Sequence, residues 1–164
     1  METKREPGGL PPGLSPNTLN LRRLTSLTAG QLALLFGKSP AGAIPRGESN
    51  GRAIFLPGTI LGVILSWLGN RLWKGKIVDK SGHGLINKVL GLKLISALVY
   101  RGTSWSDGKP SIVIDYLHTS LVAFFIRDEI RCVAPGLYLG KVYIRMPFRY
   151  RFCALWFALE FPRS

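Results

Sequence analysis

The sequence predicts a mainly β protein: an antiparallel up-and-down barrel or strongly curled sheet, with two N-terminal helices. Three observations carry this expectation. From Leu72 onward, apolar and polar residues alternate in short runs, the period of a strand whose faces meet different surroundings. Tight-turn signals separate those runs at Asp107-Gly108, Pro135-Gly136 and Met146-Pro147. Before Leu72 the apolar spacing is helical instead. Connections this short join antiparallel neighbours, because parallel strands need long crossovers.

The elements follow in chain order. Residues 1–17 are rich in Pro, Gly and charge and read as a disordered arm, leaving 18–164 as a single domain. Residues 18–38 read as helical. Within them Thr28 and Gln31 fit a capping box, and Leu32, Leu35 and Phe36 form an apolar stripe. Prolines and glycines make Pro40 to Gly51 a loop. A second helix is expected over 59–70. Strands are expected near 72–78, 93–101, 111–117, 123–133, 137–146 and 149–161, with 51–56 as a possible addition. In the Pro135-Gly136 turn, proline suits the second position and glycine the third of a type II turn.

The 164 residues carry a formal net charge of +13. That balance favours anionic partners, although no run of five like charges forms a basic tail. The first residues, METKREPGGLPPG, lack the apolar core of a secretory signal. Residues 53–70 hold no charge, but Pro57-Gly58 splits them and leaves a piece too short to span a bilayer. A buried or interfacial helix is expected there, in a cytoplasmic protein, with a peripheral membrane location as the alternative. Cys132 and Cys153 fall in strands, where a thiol is usually a small core residue. With His83 and His118 isolated and no C-x-x-C, neither a metal site nor a cofactor is expected. Phosphate-binding, dinucleotide-binding and nucleophile-elbow motifs are missing too, which disfavours NTPases, Rossmann enzymes and elbow-type hydrolases.

Four stretches bear on function. Trp73 opens the strand region and could plug one end of a barrel, with Arg149 or Arg151 stacked on it; an ordinary half-buried Trp flanked by solvated lysines is the plainer reading. In PSIVIDY, Ile112, Ile114 and Tyr116 share one face and Val113 and Asp115 the other, so Asp115 needs a partner such as an Arg, Thr119 or Ser120. In IRDEIRCVAPGLYLG, Ile126, Asp128, Ile130 and Cys132 share one face, and Arg127, Glu129 and Arg131 the other. If the first face is core, Asp128 is buried and must be satisfied. The Arg127–Glu129–Arg131 ladder faces either solvent or a barrel lumen, where it could bind a carboxylate or phosphate. Finally, Arg145, Arg149 and Arg151 interleave with Phe148, Tyr150 and Phe152, a weak nucleic-acid signal. Glu160, amid aromatic residues, reads as a further buried carboxyl.

The stretches SWSDGKPSIVIDY and TSLVAFFIRDEIRCVAPGLYLGKVY, with IPRGESNGRAIFLPGT, LWKGK and FALEF, resemble a poorly characterised group of small bacterial proteins over about residues 25–162. The chain also resembles, more loosely, lipocalin-like (calycin) barrels, which open with a helix and a G-x-W strand and continue as an antiparallel meander. Here Arg71-Leu72 precede Trp73, without the glycine. The resemblance implies a barrel with an interior cavity.

The expected function is binding of a small hydrophobic or amphipathic, anionic-headed molecule in that cavity. Trp73, Asp115, Tyr116, Arg127, Asp128, Glu129, Arg131 and Tyr138 are its candidate contacts. An alternative is a cofactor-free isomerase, cyclase or lyase of the same fold, with Asp115, Asp128 or Glu129 as base. A second alternative is a basic protein that binds a membrane surface, or less plausibly nucleic acid.

Overall fold

The computed structural model describes residues 9–55, 73–89, 92–119 and 123–162. Two helices, α1 (Leu21–Thr25) and α2 (Ala29–Lys38), precede nine strands: β1 (Gly47–Glu48), β2 (Asn50–Ile54), β3 (Trp73–Val78), β4 (Gly84–Val89), β5 (Leu92–Thr103), β6 (Pro110–Asp115), β7 (Ile126–Ala134), β8 (Leu137–Arg145) and β9 (Arg151–Glu160). Their order in the sheet is β1-β3-β4-β5-β6-β7-β8-β9-β2, and each neighbouring pair is antiparallel. The mainly β, barrel-like architecture is therefore as expected from the sequence.

The sheet nearly closes because β1 and β2 are separated by one residue. β1 pairs with β3 and β2 with β9, so this short stretch bridges the two ends of the meander. Ser49, between them, is buried and bonds the β3 backbone three times: its N–H and Oγ donate to Lys76 O at 2.9 and 2.8 Å, and its Oγ accepts from Lys76 N–H at 3.0 Å. Gly75 makes the approach possible. It sits at a register shift in β3 with φ +130°, and a Cβ there would run into the Ser49 carbonyl.

Period-two alternation sorts the side chains. The interior holds Val78, Leu85, Ala97, Val99, Ile112, Ile114, Ile130, Phe157 and Leu159. Gly140 lies opposite Phe157, and the missing side chain leaves room for that ring to lie across the interior. The outer faces of β2, β7, β8 and β9 form a second core with the helices. There Leu24, Leu32, Leu35 and Phe36 meet Ile54, Val133, Leu139, Trp156 and Ala158. The last strand is thus covered on both sides over Trp156–Leu159, as its unbroken apolar run requires.

Local chemistry sets the helix ends. Asn20 caps α1 by accepting from Arg23 N–H at 2.9 Å. Thr28 and Gln31 form the expected reciprocal box, at 3.3 and 3.0 Å. Two N-caps so close together split the helix expected over 18–38 at Ser26–Thr28. Of the N-terminal arm, residues 9–17 run in turns, and Leu10 and Leu14 rest on the helical core. Strand β4 was not expected from the sequence. The helix expected over 59–70 lies outside the described residues, and among those described no helix is long and apolar enough to cross a membrane.

The seam gives a first prediction. Gly75→Ala should destabilise the protein by about 2 kcal/mol, seen as a lower urea midpoint at unchanged slope. An unaltered midpoint would show that β3 and Ser49 do not need this close approach.

Candidate functional site

β7 divides the candidate residues between two faces. Asp128 points inward between its cross-strand neighbours Ile114 and Val142, and it is 2% exposed. Its Oδ2 accepts from Lys76 Nζ at 2.9 Å and from the Tyr116 hydroxyl at 3.1 Å. Lys76 Nζ also donates to the Tyr116 oxygen at 2.6 Å. The ammonium lies 5.3 Å from the centre of the Tyr116 ring and 5.4 Å from that of Phe157. Lys76, Tyr116 and Asp128 thus make one buried polar centre among described inward residues that are mainly apolar, joining β3, β7 and the end of β6. The seam holds Lys76 in place, since Ser49 clamps its backbone. Asp128 Oδ1, also buried, has no hydrogen-bond partner.

Tyr138, the other inward candidate, has a different task. Its hydroxyl donates to Ala43 O at 2.8 Å, and its ring meets Phe161 edge-on. Burial pushes this phenol up to about 12. Cys132 N–H donates to Pro40 O, Arg101 to Gly42 O, and Ile44 lies where a Cβ on Gly82 would meet it. These contacts reach different sides of the barrel and hold Pro40–Arg46 across one end. Trp73 opens β3, but its side chain lies outside the described residues.

The Arg127–Glu129–Arg131 ladder is on the outer face, so it is not the floor of a lumen. It is not solvated either: Arg127 is 5% exposed, and Glu129 and Arg131 are 0%. The β5–β6 hairpin loop folds down over it. Glu129 accepts from the Ser104 hydroxyl and, at 2.8 Å, from Trp105 N–H. Arg127 donates to Thr103 O at 2.9 Å and stacks on the Trp105 ring at 4.1 Å. Its Nη1 is 2.9 Å from Glu129 Oε1 but poorly aligned for a hydrogen bond, so that contact is chiefly coulombic.

Arg131 is fully engaged. It donates to both Asp107 oxygens at 2.8 and 2.6 Å, to Phe36 O at 2.9 Å and to Pro110 O at 3.1 Å, and its plane lies over the Phe36 ring. The Arg131 hydrogen bonds lead the effects that draw the Asp107 carboxyl from an ordinary 3.8 to about 2.

Asp115 is also on the outer face. Arg145 Nη2 donates to it at 2.6 Å, Tyr100 OH at 3.2 Å and Leu117 N–H at 2.9 Å. Burial opposes its charge, but these donors prevail and hold its pKa below the usual value. The partner is Arg145, whereas Thr119 bonds Ser96. Arg151 stacks on Trp105 at 4.6 Å; the side chain of Trp73, the partner expected for it, lies outside the described residues. Glu160 is exposed rather than buried, and with Glu48 and Phe161 it lines a surface cleft of about 500 Å³ at the seam.

Of the seven candidates whose side chains are described, the structure therefore brings together only Asp128 and Tyr116 inside the barrel. Sequence reasoning missed Lys76, taking it for a solvated lysine. Its shared parity with Val78 was the available signal. Trp105 was missed as well, because only the fold brings Arg127, Arg145 and Arg151 around it. Among the described residues, no three His, Cys, Asp or Glu side chains gather as a metal site requires.

Two outcomes test the outer clamp. Arg131→Lys should cost about 3 kcal/mol, because one ammonium cannot replace a two-pronged guanidinium that is itself wholly buried; chemical denaturation reads this directly. Asp107 has a depressed folded pKa, so its contribution is present above its unfolded value near 3.8 and fades as pH falls through about 2. The stability gap between the wild type and Asp107→Asn should narrow over that window, and a gap constant with pH would contradict it. No family model, curated protein or solved structure matches the chain.

Proposed function

We propose that the barrel binds a small apolar or amphipathic molecule, with a hydrogen-bond donor of that molecule set against Asp128. The observation that carries this reading is the buried, unpartnered Oδ1 of Asp128 in an apolar interior. A buried carboxylate oxygen left without a donor is costly. A ligand hydroxyl or N–H would satisfy it. Apolar surroundings with a few convergent polar groups are usual at a small-molecule site. The anionic head anticipated from the sequence depended on Arg127 and Arg131, which are occupied on the other face. A donor head is therefore favoured.

A second reading keeps the same site and adds chemistry: an isomerase, cyclase or lyase with Asp128 as base. The contacts of 2.6 to 3.1 Å among Lys76, Tyr116 and Asp128 favour it, since both donors could stabilise charge on a bound substrate. Asp115 and Glu129 are unsuited to the role, as their outer-face partners hold them.

Native mass spectrometry of the purified protein, followed by solvent extraction, tests the binding reading. The expected result is a co-purifying small molecule that carries a hydroxyl or N–H group. Removing one charge alone would strand its partner in the core, so the informative variant is the double exchange Lys76→Met with Asp128→Leu. It should fold and bind the extracted molecule about tenfold or more weakly, the worth of a hydrogen bond to a charged acceptor. Wild-type protein that carries no small molecule would sink the binding reading. Conversion of the molecule by wild type, but not by the folded double variant, would select the enzymatic one.

A further inference from the structure

The β8–β9 hairpin has a feature that binding inside the barrel does not use. Its turn runs from Pro147 to Tyr150, with Tyr150 N–H donating to Pro147 O at 3.3 Å and Met146 N–H to Tyr150 O at 2.8 Å. The two central residues, Phe148 and Arg149, both have left-handed backbones, with φ of 60° and 62°. Hairpins normally place Asn and Gly in such a turn, because a bulky side chain is penalised there. Here the tip is a phenylalanine whose exposure is complete, at 102%. Strain of this kind at a position that buries nothing points to a task outside the fold.

The surroundings indicate the task. Met146, Tyr150 and Phe152 are exposed beside the tip. So is Phe124, whose carbonyl accepts from Arg145 Nη1 and thereby ties the 123–125 turn to the hairpin base. Arg149 and Arg151 are exposed among these apolar groups. From Ile130 to Leu159 the chain has no Asp or Glu but five Arg and Lys. A convex apolar tip ringed by cations suits a fluid, negatively charged medium. A protein partner would need a pocket shaped to it, and a nucleic-acid strand would need aromatic rings lining a groove.

We propose that the β8–β9 hairpin docks the protein on an anionic lipid surface, Phe148 entering the boundary between headgroups and acyl chains and Arg149 and Arg151 meeting lipid phosphates. Aromatic groups at the interface and cations near the phosphates act together in such binding.

The test is co-sedimentation of the full chain with vesicles of phosphatidylcholine alone, or of phosphatidylcholine and phosphatidylglycerol in equal parts, with thermal unfolding of each variant alongside. The wild type should bind the anionic vesicles strongly and the neutral ones weakly. Arg149→Gln and Arg151→Gln should each lower the partition coefficient about fivefold. Phe148→Gly should lower it about tenfold, yet raise the unfolding temperature, because glycine accepts the left-handed backbone. Weaker binding with greater stability supports docking by this residue. Failure of the wild type to bind, equal binding to both vesicles, or unchanged binding of Phe148→Gly would overturn it. So would a fall in the stability of Phe148→Gly, which would assign the ring to packing, or retention on a single-stranded oligonucleotide in place of vesicles.

Discussion

Arg131 sits where three parts of the chain meet: the last turn of α2, the β5–β6 hairpin loop and the outer face of β7. Its guanidinium is wholly buried, and desolvating such a charge is tolerable only when its donors are used. They are, by the Asp107 carboxylate and by the carbonyls of Phe36 and Pro110. The Phe36 carbonyl belongs to the C-terminal end of α2, where a cation also complements the helix dipole. The same contact fixes where α2 lies on the barrel, and so which strands gain an outer core. It also pins the loop that carries Trp105 over Arg127 and supplies the partners of Glu129.

The two faces of β7 solve the same problem in different ways. Outside, charge is neutralised by neighbours brought in by a loop, and every member of the ladder has a counter-charge or carbonyl. Inside, one lysine, one tyrosine and one aspartate share a small polar centre, and one carboxylate oxygen is left over. The outer arrangement is a structural joint, in which even Arg127 Nη1, without an aligned hydrogen bond, has its counter-charge 2.9 Å away. The inner one leaves an acceptor, Asp128 Oδ1, with no donor in an apolar surround, which separates a candidate site from a fastening.

Much of the local structure could be read from the sequence, because its causes are local. Thr28 and Gln31 lie three residues apart and satisfy each other; Asp107-Gly108 and Pro135-Gly136 bring their own backbone preferences. Period two correctly placed Asp128 with Ile130 and Arg127 with Arg131. It could not say what covers each face. The partners of Arg131 come from 21 to 95 residues away, and nothing in a pattern of alternation encodes them. β4 escaped notice for a related reason. Its GLINKV segment holds Asn87 and Lys88, and it becomes a strand by pairing with β3 and β5. Lys76 was obscured by the irregular register at Gly75, just where the chain makes its seam.

That seam also imposes an order of events on the folding chain. β2 is the second strand to leave the ribosome, yet it pairs with β9, about a hundred residues later in the sequence. The contact that nearly closes the barrel is therefore among the most distant in the chain, and such contacts are slow to form because a long loop must first be gathered. Until β9 is synthesised, β2 lacks the strand it pairs with, and a half-made sheet presents edges that could pair with another chain. Only when the final strand arrives does Ser49 come to lie between two paired neighbours, and the lysine beneath it becomes part of a finished interior.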